Sequence, residues 1–479
     1  MRGPVRTGAP ARVLGASSRI WIRGGRVVDP IAGRDEPADL FVKDGVIAEI
    51  APARRRDGAF VTGLALPGGL RVIDAAGCVV VPGLIDLHVH FREPGAVRKE
   101  SIATGSMAAA KGGYTTVCCM PNTTPAVDNR ETLLFVDGRG RAVGLVNLLS
   151  AGALTEGRAG RALTDFAAMA DAPTRCFELI GKGICALSDD GTTIPDAALM
   201  RRAAERAAAL GLVIMDHPEN GALGGGAVNE GLMSRRLGLG GLPALAEVDI
   251  VARDIALAEE TGAHIHLQHI SARASVELIR AAKARGVKLS AETAPHYFAL
   301  TEEALLRAGT NAKMNPPLRT ESDRQAVIDA LCDGTIDIIA TDHAPHTAEE
   351  KALPMAEAPF GVTGLEIAFA MGYTVLVRGG RLKLPDLIRR MSADPARLIG
   401  LPRGSLLPGA AADIAVIDVE HPYTVNCDDF ASKGKNCPFD GMRVFGRPRC
   451  TLRGGVLTWS DALSIFMKKR GRPYDRQTD

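Results

Sequence analysis

The order of hydrophobic and polar residues divides the chain into two β-rich ends and a middle part in which strands and helices alternate. At the N-terminal end, residues 20–28 form one β run, and residues 40–42 lead through Asp44-Gly45 into a second run at residues 46–50. An Asp-Gly pair between alternating apolar residues is typical of a β-hairpin. The pattern therefore predicts a hairpin near this end of the chain.

Similar short runs return at the C-terminal end, at residues 413–417 and 450–457. We predict that both ends build one small β-sandwich domain from residues 19–81 and 401–462. Residues 1–18 contain three arginines, no acidic residue and no apolar core of the kind that a secretory signal needs. We interpret them as a disordered tail in preference to an organellar transit peptide, and residues 463–479 as a second tail.

The middle of the chain contains eight apolar runs that are candidate strands, at residues 84–90, 114–120, 145–150, 184–189, 212–216, 264–270, 288–293 and 336–341. Helical segments are predicted between several of them, at residues 99–111, 196–210 and 271–285, the last with Val276, Ile279 and Ala282 on one face. Eight such units fit an α/β fold of the (β/α)₈ TIM-barrel type, over residues 82–400, better than a doubly wound sheet. No glycine-rich phosphate-binding motif follows a strand, which removes the nucleotide-binding interpretation.

Composition excludes several classes of protein. The 479 residues include 57 Lys+Arg and 55 Asp+Glu, so the net charge of +2 gives no case for a nucleic-acid or membrane-surface partner. No apolar run approaches the ~18 residues that a membrane-spanning helix needs. The nine scattered cysteines, without a CxxC motif, are expected to be buried reduced thiols. We expect a globular, cytoplasmic protein.

The distribution of the histidines indicates a metal or acid–base site, because nine of the ten fall between His88 and His346. A barrel carries its active site at the C-terminal ends of its strands. His88 and His90 end the first strand two residues apart, so they share a face and could bind one ion. His264 and His266, in the sixth strand, are interpreted as structural.

Six strand-end residues offer imidazoles and carboxylates as ligands: His88, His90, Asp190, His217, His269 and Asp342. Such a set without thiolates suits zinc, or alternatively manganese or iron. Six ligands are too many for one tetrahedral ion and suit a pair of ions. Such a pair lowers the pKa of water towards ~7 and polarises a carbonyl group.

These residues lie in stretches that resemble the bacterial class I dihydroorotases, cyclic amidohydrolases of the amidohydrolase superfamily. The matching stretches are DLHVHFREPG (86–95), GGYTTV (112–117), MPN (120–122), SDDG (188–191), KMNPPLR (313–319), TDHAPH (341–346), APFG (358–361) and SKGKN (432–436). The resemblance is taken to cover the chain from about residue 19 to residue 457.

The resemblance implies two zinc ions per subunit, one held by His88, His90 and Asp342 and the other by His217 and His269. Asp190 and a hydroxide would bridge them. Many relatives use a carboxylated lysine as the bridge. Here Asp190 matches the class I pattern instead, and Lys182 is therefore interpreted as structural. One departure from the family pattern follows His217, where Pro218-Glu219-Asn220 replaces the usual Cys-Glu-Asp.

The implied reaction is the reversible hydrolysis of (S)-dihydroorotate to N-carbamoyl-L-aspartate, a step of pyrimidine synthesis. Asp342 would be the catalytic acid–base. The substrate contacts implied by the resemblance are His90, Arg92, Asn122, Asn315, His346, Phe360 and Gly361. The residues after His346, 347–362, are interpreted as an active-site loop.

Two alternatives stay open at this point. An allantoinase or hydantoinase would share the fold and the His-x-His pair, but it would lack the combination of Arg92 with His346. A non-catalytic partner subunit of aspartate transcarbamoylase would be expected to lose metal ligands, and all six are present. A homo-oligomer is expected, with a complex with aspartate transcarbamoylase as a further expectation, and with no nucleic-acid or membrane partner.

Overall fold

The computed structural model describes residues 19–52, 65–66 and 70–461, so both predicted tails lie outside the described residues. The first six strands are β1 (Arg19–Asp29), β2 (Arg34–Lys43), β3 (Val46–Pro52), β4 (Ala65–Leu66), β5 (Leu70–Asp74) and β6 (Cys78–Pro82). The next ten are β7 (Leu84–Val89), β8 (Tyr114–Cys119), β9 (Asn147–Gly152), β10 (Ala186–Leu187), β11 (Val213–Asp216), β12 (Val228–Asn229), β13 (Gly241–Leu242), β14 (Ile265–Leu267), β15 (Leu289–Thr293) and β16 (Ile338–Ile339). The last five are β17 (Ile414–Asp418), β18 (Tyr423–Thr424), β19 (Arg443–Val444), β20 (Arg447–Arg453) and β21 (Val456–Ser460).

Strands from both ends of the chain form one nine-stranded sheet, in the order β21-β20-β17-β6-β1-β2-β3, with β5 beside β1 and β4 beside β5. The C-terminal strands enter through β17, which pairs antiparallel with β6. The predicted hairpin is β2–β3, whose turn places Asp44 and Gly45 at positive φ, 51° and 83°. Positive φ at both turn residues suits the twist of a two-residue hairpin. The prediction of a separate β domain built from both ends is thus confirmed, while its exact limits stay a prediction.

The barrel consists of eight parallel strands in the order β16-β15-β14-β11-β10-β9-β8-β7. Each of the eight predicted runs overlaps one of these strands. A parallel bridge between Val89 and His343 joins the first strand to the segment after the last, and the His90 amide donates to the His343 carbonyl at 2.9 Å. This bridge closes the barrel and brings the end of β7 beside the residues that follow β16.

The helices in chain order are α1 (Ile102–Lys111), α2 (Arg130–Val143), α3 (Phe166–Ala170), α4 (Arg175–Ile180), α5 (Ala197–Ala209), α6 (Leu232–Leu237), α7 (Leu245–Thr261), α8 (Arg273–Ala284), α9 (Pro295–Ala299), α10 (Leu305–Ala308), α11 (Glu321–Asp333), α12 (Ala348–Lys351), α13 (Ala368–Met371), α14 (Leu384–Ile388) and α15 (Asp394–Ile399). Short 3₁₀ turns occur at Glu156–Arg158, Gly221–Leu223, Glu302–Ala304, Gly309–Ala312 and Cys427–Asp429, and π turns at Gly372–Val377 and Arg389–Ala393.

The three predicted helices are α1, α5 and α8. A side chain caps the first turn of α1 and of α5, and α8 buries its apolar face. Helix α1 begins later than predicted because the Ser101 side chain accepts from the Thr104 amide and fixes the first turn. In α8 the predicted face is buried, with Val276, Ile279 and Ala282 at 1% exposure or less. None of the helices in the described part of the chain is long and apolar enough to cross a membrane. All nine cysteines are free thiols, and the prediction that they are buried is wrong for Cys332, which is exposed.

Candidate active site

The first strand of the barrel brings two histidines to its C-terminal end. His88 is a residue of β7 and His90 follows it directly, and both are buried, at 0% and 5% exposure. His90 Nε2 lies 3.0 Å from Asp342 Oδ1, and His88 Nε2 lies 3.6 Å from the same oxygen. Alternation along the strand therefore places both rings on one face, as predicted.

Asp190 lies at the centre of the cluster. It follows β10, and its carboxylate faces imidazoles that come from three other strand ends. Its Oδ1 lies 3.2 Å from His88 Nε2, 3.6 Å from His217 Nδ1 and 4.0 Å from His269 Nε2, and its Oδ2 lies 3.5 Å from His90 Nε2. One carboxylate thus lies within 4.0 Å of four imidazoles.

His217 and His269 close the other side of the cluster. They follow β11 and β14, and His217 Nδ1 lies 2.8 Å from His269 Nε2. The backbone takes a positive φ at His269, 35°, and at Asp342, 46°. This conformation is uncommon for residues other than glycine and gathers at functional sites.

The donor set fits a divalent metal. Two groups of three residues, His88 with Asp190 and His269, and His88 with His90 and Asp342, hold potential ligand atoms within 4.8 Å of one another. Among the described residues, the buried His88 Nε2 and His269 Nδ1 have no hydrogen-bond partner. Buried polar atoms are rarely left in this state, so a ligand that uses some of them is expected.

The protonation states of two ligands suit metal binding. Burial opposes ionisation of Asp342, but its hydrogen bond to His90 and the field of His88 outweigh this, and the pKa of Asp342 is lowered. Burial, together with the charges of His217 and His88, lowers the pKa of His269 to about 3. An ionised carboxylate and a neutral imidazole are the forms that coordinate a cation.

Two other histidines of the cluster, His88 and His217, lie in the negative field of neighbouring carboxylates. The pKa of His88 lies well above its usual value despite burial, because Asp190 and Glu292 lie beside it. Asp190 and Glu219 likewise raise the pKa of His217 to about 9. A divalent cation would satisfy the same carboxylates in place of these protons.

Asn122 and Arg92 lie beside the metal cluster. Asn122 Nδ2 donates to Asp190 Oδ2 at 3.2 Å, and its Oδ1 lies 3.0 Å from His90 Nδ1. Since that oxygen can only accept, His90 Nδ1 carries a proton, and the other ring nitrogen, Nε2, faces Asp342 Oδ1 at 3.0 Å. Arg92 keeps its buried Nε without a hydrogen-bond partner in the described residues.

The other predicted substrate contacts lie in two segments of the barrel mouth. Asn315 Nδ2 is 3.4 Å from His217 Nε2 and also donates to Glu219 Oε2. His346 Nε2 lies 2.7 Å from the Phe360 carbonyl, so this nitrogen donates. Gly361 has a φ of 134°, and a Cβ there would lie 2.7 Å from the Ala344 carbonyl oxygen. Only glycine fits this close approach.

Comparison with known proteins shows which family this chain belongs to. A model described as dihydro-orotase-like matches residues 77–275, and one described as the amidohydrolase family matches residues 251–458. A dihydroorotase from Pelotomaculum thermopropionicum is 48% identical over 444 residues, which are 92% of this chain and 99% of that protein. The chain belongs to the dihydroorotase family. A second dihydroorotase, from Geobacter metallireducens, is 45% identical over 441 residues, with 92% and 99% covered.

Several solved structures of similar fold are named hydantoinase or dihydropyrimidinase. The L-hydantoinase (dihydropyrimidinase) from Arthrobacter aurescens has a TM-score of 0.77 and 26% identity, and the match covers 92% of this chain and 96% of that one. The dihydropyrimidinase from Brevibacillus agri NCHU1002 has the same TM-score at 22% identity, covering 92% and 95%, which is a likeness of fold. The barrel is thus shared widely, while the higher sequence identity lies with the dihydroorotase family.

Glu292 is a residue near the dihydroorotase-type cluster that sequence reasoning missed. It lies in β15, and its carboxylate is 2.6 Å from His88 Nδ1 and 3.1 Å from His266 Nε2. His266 in turn contacts Ser290 Oγ at 2.8 Å, so it supports Glu292 and does not join the cluster. The period-two pattern of Ser290 and Glu292 inside an otherwise apolar strand was the available signal.

Two further sequence interpretations can be placed in the structure. Lys182 Nζ donates to the Gly211 carbonyl, and no bond joins it to the cluster in the described residues. Glu219, in the stretch that departs from the family pattern, has its Oε2 3.1 Å from His217 Nε2. It therefore holds the His217 ring so that Nδ1 faces Asp190, which keeps the orienting contact that a metal-binding histidine usually has.

Proposed function

We propose that this chain is a dihydroorotase that hydrolyses the ring amide of (S)-dihydroorotate reversibly to N-carbamoyl-L-aspartate. The observation that carries the proposal is the buried cluster of strand-end carboxylates and imidazoles, in a chain 48% identical to a dihydroorotase. The cluster consists of His88, His90, Asp190, His269 and Asp342. A cytoplasmic location, a homo-oligomer and a complex with aspartate transcarbamoylase stay predictions of the sequence.

The metal is proposed to be a pair of zinc ions. His88, His90 and Asp342 would hold one and His217 and His269 the other, with Asp190 between them. When bound, the pair would polarise the ring carbonyl and lower the pKa of the attacking water. The alternation of imidazoles with carboxylates, and the absence of a thiol from these groups in the described residues, supports zinc over softer ions.

Asp342 is proposed as the acid–base. Its carboxylate is ionised, and its Oδ1 contacts His90 Nε2 at 3.0 Å. In hydrolysis, Asp342 would take a proton from the attacking water and deliver it to the amide nitrogen as the ring C–N bond breaks. In the reverse direction Asp342 would take the proton from the attacking ureido nitrogen and give it to the leaving hydroxide, which departs as water. General acid–base transfer of this kind is worth about 10²–10⁴-fold.

The substrate carboxylate is proposed to bind next to Arg92. This guanidinium keeps a buried Nε without a partner among the described residues, so it can form a charge-assisted hydrogen bond with an anion. Asn122, Asn315, His346, Phe360 and Gly361 complete the proposed contacts. Since His346 Nε2 already donates to the Phe360 carbonyl, His346 would exchange this partner to hold the substrate.

The decisive experiment measures metal and turnover together. The protein is purified without chelator, its zinc is determined by mass spectrometry, and both dihydroorotate and N-carbamoyl-L-aspartate are assayed. We expect up to two zinc ions per chain and activity in both directions. Asp342→Asn should abolish both directions, while Asp171→Asn, at an exposed helix end, should leave them unchanged. Full ring opening by a metal-free preparation would refute the metal-dependent mechanism.

A further inference from the structure

Asn436 comes from the C-terminal segment, yet its side chain reaches the mouth of the barrel. It is the last residue of the SKGKN stretch and is 3% exposed. Its Nδ2 donates to the carbonyls of Ala344, at 3.1 Å, and Gly361, at 2.9 Å, and its Oδ1 accepts from the His346 amide at 3.0 Å. One buried amide therefore ties the segment after β16 to the segment that contains Gly361.

Lys351 also binds the backbone of residues 359–361. It ends α12, is 6% exposed, and its Nζ donates to the carbonyls of Pro359 at 2.9 Å, Gly361 at 3.1 Å and Lys313 at 3.2 Å. The Gly361 carbonyl thus accepts from both Asn436 and Lys351. The Gly361 amide is fixed as well, because it donates to the Lys313 carbonyl at 3.0 Å.

These bonds hold the backbone that carries two proposed substrate contacts. Phe360 is joined to His346 through its carbonyl, and Gly361 packs against Ala344 with no room for a side chain. Removing either donor would leave a carbonyl short of a partner and let residues 359–361 move away from His346. A binding loop that is ordered before the substrate arrives loses less entropy when it binds.

We propose that Asn436 and Lys351 are positioning residues that lock Phe360 and Gly361 beside His346 and thereby set the affinity for dihydroorotate. This inference rests on the proposed function, because it treats Phe360, Gly361 and His346 as substrate contacts. It assigns the SKGKN stretch of the C-terminal segment to the substrate side of the barrel.

A purely structural role makes a different kinetic prediction. If the bonds only stabilised the fold, their loss would lower the fraction of active protein, which lowers the apparent kcat at an unchanged KM. If they position the substrate loop, KM rises while metal content and melting temperature stay close to those of the wild type. The split between KM and kcat therefore separates the two roles.

The test uses Asn436→Asp and Lys351→Met in the full-length, metal-loaded protein. Aspartate has the shape of asparagine and still accepts from the His346 amide, but it has no donor for the two carbonyls. We expect the KM for dihydroorotate to rise about 10-fold or more in each variant, since a lost hydrogen bond that leaves a buried acceptor unpaired typically has an effect of this order. Matched controls are Asn426→Asp and Lys288→Met at exposed positions, which should leave KM unchanged.

Both donors end on one carbonyl, so their effects should not add. Each single variant leaves the Gly361 carbonyl one of its two donors, so the double variant, which removes both, should raise KM by more than the product of the two single fold-changes. A KM in both single variants equal to that of the controls would overturn the proposal. If Asn436→Asp fails to fold, Lys351→Met provides the same test.

Hydrogen exchange tests without relying on turnover whether the bonds from Asn436 and Lys351 lock residues 359–361 in place. Amides of residues 344–363 should exchange faster in both variants than in the wild type, and equally slowly in both controls. Unchanged exchange would overturn the lock even if KM rises. If the wild type opens no dihydroorotate ring, the proposed function fails, and faster exchange in the variants would still support the lock itself.

Discussion

Glu292 and His88 form a buried pair in which the carboxylate Oε1 lies 2.6 Å from the ring Nδ1. Burial opposes the negative charge, but the neighbouring His88 and His266 lower the pKa of Glu292 to about 2. An ionised Glu292 can only accept, so Nδ1 of His88 carries a proton. The other ring nitrogen, Nε2, faces Asp190 at 3.2 Å and is the atom that a bound metal ion would use.

This relationship predicts a metal-binding defect from a residue outside the cluster. Glu292→Gln should weaken zinc binding about 10–100-fold, because the amide no longer attracts the Nδ1 proton and the ring loses basicity and orientation. Zinc affinity is measured by competition with a chromogenic chelator. The control is Glu277→Gln on the exposed face of α8, which should bind zinc like the wild type. Equal affinities for Glu292→Gln and the control would show that His88 needs no such partner.

The barrel could be predicted from the sequence because each of its strands is an apolar run that ends in polar residues. Even β10 and β16, which are two residues long in the structure, lie within longer apolar runs. The six candidate ligands could be predicted for a related reason. They lie at the C-terminal ends of such runs or directly after them, and parallel strands place these ends on one face.

Contacts across the barrel could not be predicted in the same way. Glu292 meets His88 over a separation of 204 residues, and the contact forms only when the barrel closes. Asn436 lies in a segment whose pattern assigns it to the β domain, yet its amide binds Ala344, His346 and Gly361. Hydrophobic periodicity indicates which face of an element is buried, but not which distant backbone groups a polar side chain will satisfy.

Arg92 provides a test of substrate class. Arg92→Met should reduce kcat/KM for dihydroorotate by about 10–150-fold, because one charge-assisted hydrogen bond contributes roughly 1.5–3 kcal/mol. Turnover of dihydrouracil, a ring without the carboxylate, should change far less. Both substrates are assayed with each protein under the same conditions.

The control for this comparison is Arg201→Met, whose guanidinium pairs with Glu260 at the surface. It should leave both activities unchanged. An equal loss on the two rings would assign Arg92 a structural role. A wild type that prefers dihydrouracil would instead favour the hydantoinase alternative.

His296 predicts how the stability of the protein depends on pH. The ring is buried at 1% exposure, its Nε2 has no hydrogen-bond partner among the described residues, and burial lowers its pKa to about 4. In the unfolded chain an ordinary histidine has a pKa of about 6.5. Between these two values the unfolded chain binds a proton that the folded chain does not, so the free energy of unfolding falls as the pH falls.

Replacing His296 by a side chain that does not titrate should remove this loss of stability at acid pH. From about pH 6.5 to about pH 4.5, His296 should destabilise the fold by up to ~3 kcal/mol, at ~1.4 kcal/mol for each pH unit. His296→Phe should lose correspondingly less stability over this range, as measured by urea unfolding at both pH values. Any release of metal in acid affects both proteins, so the difference between them isolates His296. The control is His421→Gln at an exposed position, for which the dependence of unfolding free energy on pH should be parallel to that of the wild type. A parallel dependence for His296→Phe would instead show that His296 accepts a proton within the fold.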